Sequence, residues 1–187
     1  GNVDFYNVAV GSSAGTAITT GTKNTLIGGL AGDALNTGGA NVAVGYAALS
    51  TEDGNGNNVA VGYLALTTQN TGADGHNTGV GHKAGRLITS GIRNTIVGAL
   101  AGDALTDADD NVAVGMLALS TCQLGSANTA VGKDALEDCN PASAVTMYNS
   151  AFGQGAAANL TTAIKGTFIG ARSGGGASLT GNENTCV

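Results

Sequence analysis

The phrase NVAVGYAAL at Asn41 returns as NVAVGYLAL at Asn58, at a spacing of 17. A fixed short period of this kind limits a chain to stacked repeats, because one copy is too small to bury a core alone. With the Asn of each phrase taken as offset zero, copies start at Asn7, Asn24, Asn41, Asn58, Asn77, Asn94, Asn111, Asn128, Asn149, Gly166 and Asn184. Successive starts are mostly 17 apart, while the copies at Asn58, Asn128 and Gly166 run to 19, 21 and 18. Offset four is Gly in every complete copy: Gly11, Gly28, Gly45, Gly62, Gly81, Gly98, Gly115, Gly132, Gly153 and Gly170. Offset seven is Ala in all of these copies except the one holding Ser173.

A longer period is superposed. NTLIGGLAGDAL at Asn24 reappears as NTIVGALAGDAL at Asn94, four copies further along, so four-copy blocks start near residues 7, 77 and 149. Residues 1–187 therefore read as a single repeat array. It opens and closes within repeats, which predicts a segment of a longer fibre.

Each copy is expected to form a strand at offsets one to three (Val42-Ala43-Val44, Thr95-Ile96-Val97), a Gly corner, a second short strand carrying the offset-seven Ala, and a loop. Interval changes fall in that loop, which marks the tolerant edge of the coil. The fold class predicted is all-β, a β-solenoid or β-roll of about ten 17-residue coils stacked about 4.8 Å apart. Stacking would set the asparagines above one another as a side-chain amide ladder. Large apolar groups alternate between two places. Leu49, Leu66, Leu119 and Leu136 lie at offset eight, whereas Ile18, Leu35, Ile88, Leu105 and Leu160 lie at offset eleven, which predicts a narrow core filled from two positions.

Composition fits this reading and no ordinary globule. The chain has 32 Gly, no Trp, 4% aromatic and 11% charged residues, against about 25% charged in typical domains. With 42% apolar residues and a net charge of -6 it does not have the makeup of a disordered chain. Seven Lys and Arg, scattered, argue against nucleic-acid binding, and no apolar run approaches a membrane span.

In the strand, offsets one and three face one way and offset two the other, yet neither face is clearly polar: offset three is always apolar and offset one is Val or Thr, once Ser. A thin roll has one interior, so the second face is expected to pack on a neighbouring chain. The phrases NVAVG at Asn7, Asn41, Asn58 and Asn111 and NTAVG at Asn128 resemble two related groups. These are the head repeats of YadA-like trimeric autotransporter adhesins and the NTAVG-type arrays of phage tail-fibre proteins. The resemblance implies a left-handed roll, a homotrimer and a location outside the cell or on a virion. Adhesin head coils are usually a few residues shorter, so larger loops are expected here.

Candidate chemistry is sparse. Cys122 and Cys139 share offset eleven in adjacent coils and are within reach of a disulfide; two free thiols packed as small hydrophobes is an equal alternative. Cys186 replaces an offset-two Ala and reads as a buried thiol. Asp107, Asp109 and Asp110 form a candidate Ca²⁺ turn, although a solvated acidic turn is the preferred reading. His76 and His82 lack a convergent third ligand and read as loop histidines. Tyr46 and Tyr63 stack at offset five, as a small sugar-binding face or as a packed aromatic pair. An irregular Thr column at offset one argues against ice binding. No convergent acid, base or nucleophile stands out, so no enzyme and no cofactor are expected. The functional expectation is a rigid trimeric spacer of a fibre or adhesin, with self as partner. The alternative is a surface that binds host glycan or protein through its variable loops.

Overall fold

The computed structural model describes residues 5–139, 141–176 and 180–187. Thirteen strands form among the described residues: β1 Val8–Val10, β2 Thr25–Ile27, β3 Val42–Val44, β4 Val59–Val61, β5 Thr78–Val80, β6 Thr95–Val97, β7 Val112–Val114, β8 Gly125–Ser126, β9 Thr129–Val131, β10 Val145–Thr146, β11 Ser150–Phe152, β12 Thr167–Ile169 and β13 Thr185–Cys186. Eleven of them make one parallel sheet in chain order, leaving out β8 and β10, which pair with each other. The described residues contain no helix, so none that could cross a membrane. This is a parallel β-solenoid of about ten coils.

Register follows the repeat through its irregularities. Val59 pairs with Thr78 across the 19-residue interval, Thr129 with Ser150 across the 21-residue one, and Thr167 with Thr185 across the 18-residue one. The added residues are therefore absorbed outside the sheet. Side chains at offset two point inward and are fully buried, among them Leu26, Ala43, Ala60, Ile96, Ala113, Ala130 and Phe168. Offsets one and three point outward and are half-buried or exposed. The core is closed by Leu49, Leu66, Leu119 and Leu136 at offset eight and by Leu35, Ile88, Leu105 and Leu160 at offset eleven, all fully buried. Offset two is thus a third filling position beside the two expected. At roughly 1.5–3 kcal/mol per buried Leu or Ile, one or two such groups per coil supply its cohesion.

The expected second strand at offset seven does not form. The offset-seven alanines from Ala31 to Ala156 are buried, but they sit in a tight turn with positive φ on either side. Offset six is left-handed in every coil, from Ser13 (φ 58°) and Leu30 (58°) to Arg172 (59°), and so is offset eight, from Gly15 (59°) to Gly174 (65°). The residue before each phrase is also left-handed, including Lys23 (61°), Arg93 (59°) and Glu183 (60°). Isolated left-handed residues reverse the chain and cannot continue a strand. Most of these positions hold side chains other than Gly, at a cost of order 1 kcal/mol each. Stacking repays this because each corner bonds to the same corner of the next coil; Leu64 N–H, for example, donates to Tyr46 O at 3.0 Å.

Offset four does require glycine, for two reasons together. Its φ lies between 114° and 140° in all ten complete coils. A Cβ on any of the first nine would stand 2.3–2.6 Å from the carbonyl oxygen of the offset-four Gly in the next coil. No rotamer or side-chain shift relieves a clash with backbone.

Candidate functional site

The asparagine column is the most ordered polar feature. From Asn24 to Asn149 these side chains are essentially fully buried. Each Oδ1 accepts the main-chain N–H that opens the next coil: Asn24 N to Asn7 Oδ1 2.8 Å, Asn58 N to Asn41 Oδ1 3.0 Å, Asn94 N to Asn77 Oδ1 2.8 Å, Asn149 N to Asn128 Oδ1 3.2 Å. In several coils Nδ2 donates to the carbonyl at offset fourteen of the same coil, as in Asn24 to Gly38 O 2.9 Å and Asn94 to Ala108 O 2.8 Å. Amide-to-amide bonds of 3.2 Å are an added strand of the ladder, for instance Asn111 Nδ2 to Asn94 Oδ1. The side chain clamps its own loop and anchors its neighbour's strand. Every polar atom is satisfied, so the column has no free group for chemistry. At Gly166 the Asn is missing, and the reason is steric: a Cβ there would meet the Phe168 ring at 2.4 Å.

Asp107, Asp109 and Asp110 are not brought together as a calcium turn. Asp107 Oδ1 accepts from Ser90 Oγ at 2.6 Å, Asp109 Oδ1 from Ile92 N–H at 2.8 Å, and Asp110 forms a bidentate pair with Arg93 at 2.6 and 2.8 Å. Each carboxylate is spent on the preceding coil. Among the described residues no three His, Cys, Asp or Glu side chains converge on a point, and His76 and His82 are likewise apart from any acid cluster. The Arg93 guanidinium holds the Asp110 carboxyl below its ordinary range through their hydrogen bonds, against a smaller opposing effect of burial. Arg86–Asp103 (2.9 Å) and Lys165–Glu183 (3.4 Å) repeat the arrangement of opposite charges at one offset in successive coils.

Tyr46, Tyr63 and His82 form a continuous stack at offset five. Ring centroids are 5.7 and 5.5 Å apart, with interplanar angles of 16° and 8°. Both faces of Tyr63 are covered, one by Tyr46 and the other by His82, and the two tyrosines are about half exposed. The stacking is that of the packed aromatic pair, extended by His82 to a third ring.

Offset eleven differs between coils in a way the sequence pattern left unexplained. Glu52 and Gln69 occupy it in adjacent coils and are fully buried. Gln69 Nε2 donates to Glu52 Oε2 at 3.2 Å, Asn55 Nδ2 to Glu52 Oε1 at 2.8 Å, and Asn77 Nδ2 to Gln69 Oε1 at 3.1 Å. Four coils later the same places hold Cys122 and Cys139, both fully buried thiols with Sγ atoms 2.7 Å apart. The hydrogen bond with Cys122, together with burial, pushes the Cys139 thiol well above the ordinary range. Cys186, at offset two, is a partly buried free thiol.

The outer face of the sheet is lined by offsets one and three. Offset three carries Val10, Ile27, Val44, Val61, Val80, Val97, Val114, Val131, Phe152 and Ile169, and offset one carries Val or Thr, with Ser150 the exception. Val10 is 57% exposed, Ile27 40%, Phe152 43% and Ile169 46%. No charge interrupts either column. Comparison of the chain with protein-family models, with curated proteins and with solved structures gives no match.

Proposed function

We propose that this chain is a rigid segment of an extracellular or virion-surface fibre, wound left-handed and assembled from three copies through the outer face of its sheet. One observation carries the reading: the outward columns of an eleven-stranded sheet carry no charge along their whole length, and offset three is apolar in every coil while offset one mixes Val with Thr and Ser. Soluble monomers rarely leave so long an apolar strip in water. Ten coils at about 4.8 Å give a strip about 50 Å long.

The pitch favours a second copy of this chain as the occupant. Side chains repeating at the coil spacing meet a complementary row only on a surface with the same spacing. The count of three and the surface location rest on the resemblance of the NVAVG and NTAVG phrases to trimeric adhesin heads and tail-fibre arrays. A spacer role is preferred to direct adhesion because the one aromatic cluster among the described residues, Tyr46–Tyr63–His82, is stacked upon itself.

Light scattering tests the reading. The expected mass is three times the 18.0 kDa chain. Val61→Lys with Val97→Lys, two outward positions, should release monomers with an unchanged far-ultraviolet spectrum. A wild-type protein that stays monomeric at every accessible concentration would overturn the self-assembly.

A further inference from the structure

We infer that Cys122 and Cys139 are a disulfide site, a covalent staple between two adjacent coils set as the chain folds. The equivalence of the two four-coil blocks is the first argument. Cys122 and Cys139 stand where the first block has Glu52 and Gln69, a hydrogen-bonded side-chain pair at offset eleven. Both pairs join the same two coils at the same depth, immediately before the coil that follows the 19- or 21-residue interval. One block uses a polar link and the other a sulfur pair.

The surroundings have been rebuilt around sulfur. Asn55, which donates to Glu52, is replaced by Gly125, and a Cβ on Gly125 would stand 2.6 Å from Met147 Sδ, 2.8 Å from Cys122 Sγ and 3.2 Å from Cys139 Sγ. Gly75, which has no room for a Cβ beside Gln69 Nε2 at 2.7 Å, is replaced by Met147, whose Sδ lies 3.3 Å from Cys139 Sγ. The shorter cysteine leaves volume that the methionine fills. At 2.7 Å the two Sγ atoms are closer than unbonded sulfurs pack comfortably, and an approach of about 0.7 Å completes the bond.

The staple needs an oxidant, and a small-molecule disulfide such as oxidised glutathione suffices. The thiolate of one cysteine attacks a glutathione sulfur, forming a mixed disulfide and releasing one glutathione thiolate. The second cysteine then attacks the protein sulfur of that mixed disulfide and releases the other. Two electrons pass from the cysteines to glutathione, and the two thiol protons go to the two released thiolates. Both cysteines are fully buried once the coils close, so the exchange takes place before closure and the pair then stays as it was set.

The test is to refold the whole chain with and without oxidised glutathione, then unfold it in an alkylating reagent and weigh it. Refolding with the oxidant should leave one alkylated residue, Cys186, and peptide mapping should join Cys122 to Cys139. The oxidised form should melt higher than the reduced one, and that difference should vanish in C122S/C139S. Three alkylated cysteines after refolding in oxidant, or a bond to Cys186 instead, would overturn the site. So would equal melting of the oxidised and reduced forms. Protection of Cys122 and Cys139 by Cu(I) alone would overturn it too, assigning the sulfurs to a soft metal ion instead.

Discussion

Replacing Asn94 with Ala tests whether the asparagine column holds the coils together or merely fits between them. Asn94 Oδ1 accepts the main-chain N–H of Asn111 at 3.0 Å, and its Nδ2 donates to the carbonyl of Ala108 at 2.8 Å. Both partners belong to fully buried residues. Truncation leaves two buried donors, the Asn111 main-chain N–H and its Nδ2, and one buried carbonyl short of a partner, at about 1–3 kcal/mol each. The expected loss is about 3–5 kcal/mol, allowing for the void left by the amide. Asn77 Oδ1 keeps its bond from Asn94 N–H and loses only the 3.2 Å bond from Asn94 Nδ2, so most of the damage falls on the Asn111 side. Asn184→Ala is the internal control: same offset, but half-buried and preceded by Gly166, which has no Oδ1 to offer. It should cost under about 0.5 kcal/mol. Urea unfolding followed by circular dichroism measures the total, and hydrogen exchange localises it, which matters because repeat arrays can open in parts. The Asn111 amide should exchange about a hundredfold faster. If Asn94→Ala falls within about 0.5 kcal/mol of wild type and Asn111 exchange is unchanged, the reasoning is refuted.

Gly166→Asn restores the repeat letter but drives a side chain into the Phe168 ring, where a Cβ already stands at 2.4 Å; it should destabilise by about 1–3 kcal/mol. Phe168→Ala alone should cost about 3–5 kcal/mol, and the double variant should fall short of the sum by more than about 1 kcal/mol, measured as a double-mutant cycle. The Arg93–Asp110 pair predicts an acid dependence. Asp110 has its carboxyl lowered in the folded chain, so its contribution is complete above the unfolded carboxylate range and is lost as pH falls through the lowered value. Asp110→Asn should flatten that part of the stability–pH curve, and the effect should be small because the pair is solvent-exposed; an unchanged slope would remove the pair from the account.

The spacing of Asn and Gly was enough to read the coil, its strand and its register, because in a solenoid each residue's chief neighbour is the same residue one period away. That holds for Gly115, whose missing Cβ is explained by Gly132 O at 2.5 Å, and for Asn111, whose neighbours are Asn94 and Asn128. Reading failed where identity and conformation part. Leu64 and Arg172 sit at left-handed corners although nothing in a Leu or an Arg announces positive φ, so a strand is expected at offset seven where a turn forms. Asp107, Asp109 and Asp110 cluster in sequence, yet their carboxylates reach back to Ser90, Ile92 and Arg93, a direction that spacing does not encode. The exchange of Glu52 and Gln69 for Cys122 and Cys139 was visible in the letters. Its meaning emerged only with Gly125 and Met147 placed around the sulfurs.

By itself, then, the sequence determined the stack: periodic backbone pairing needs only equal spacing and small corners, and both are written in the repeat. Which face is inside, which corners are left-handed and which side chains meet were decided by tertiary structure. These depend on the path of the chain between strands, where bonds to the neighbouring coil outweigh the local preference of each residue.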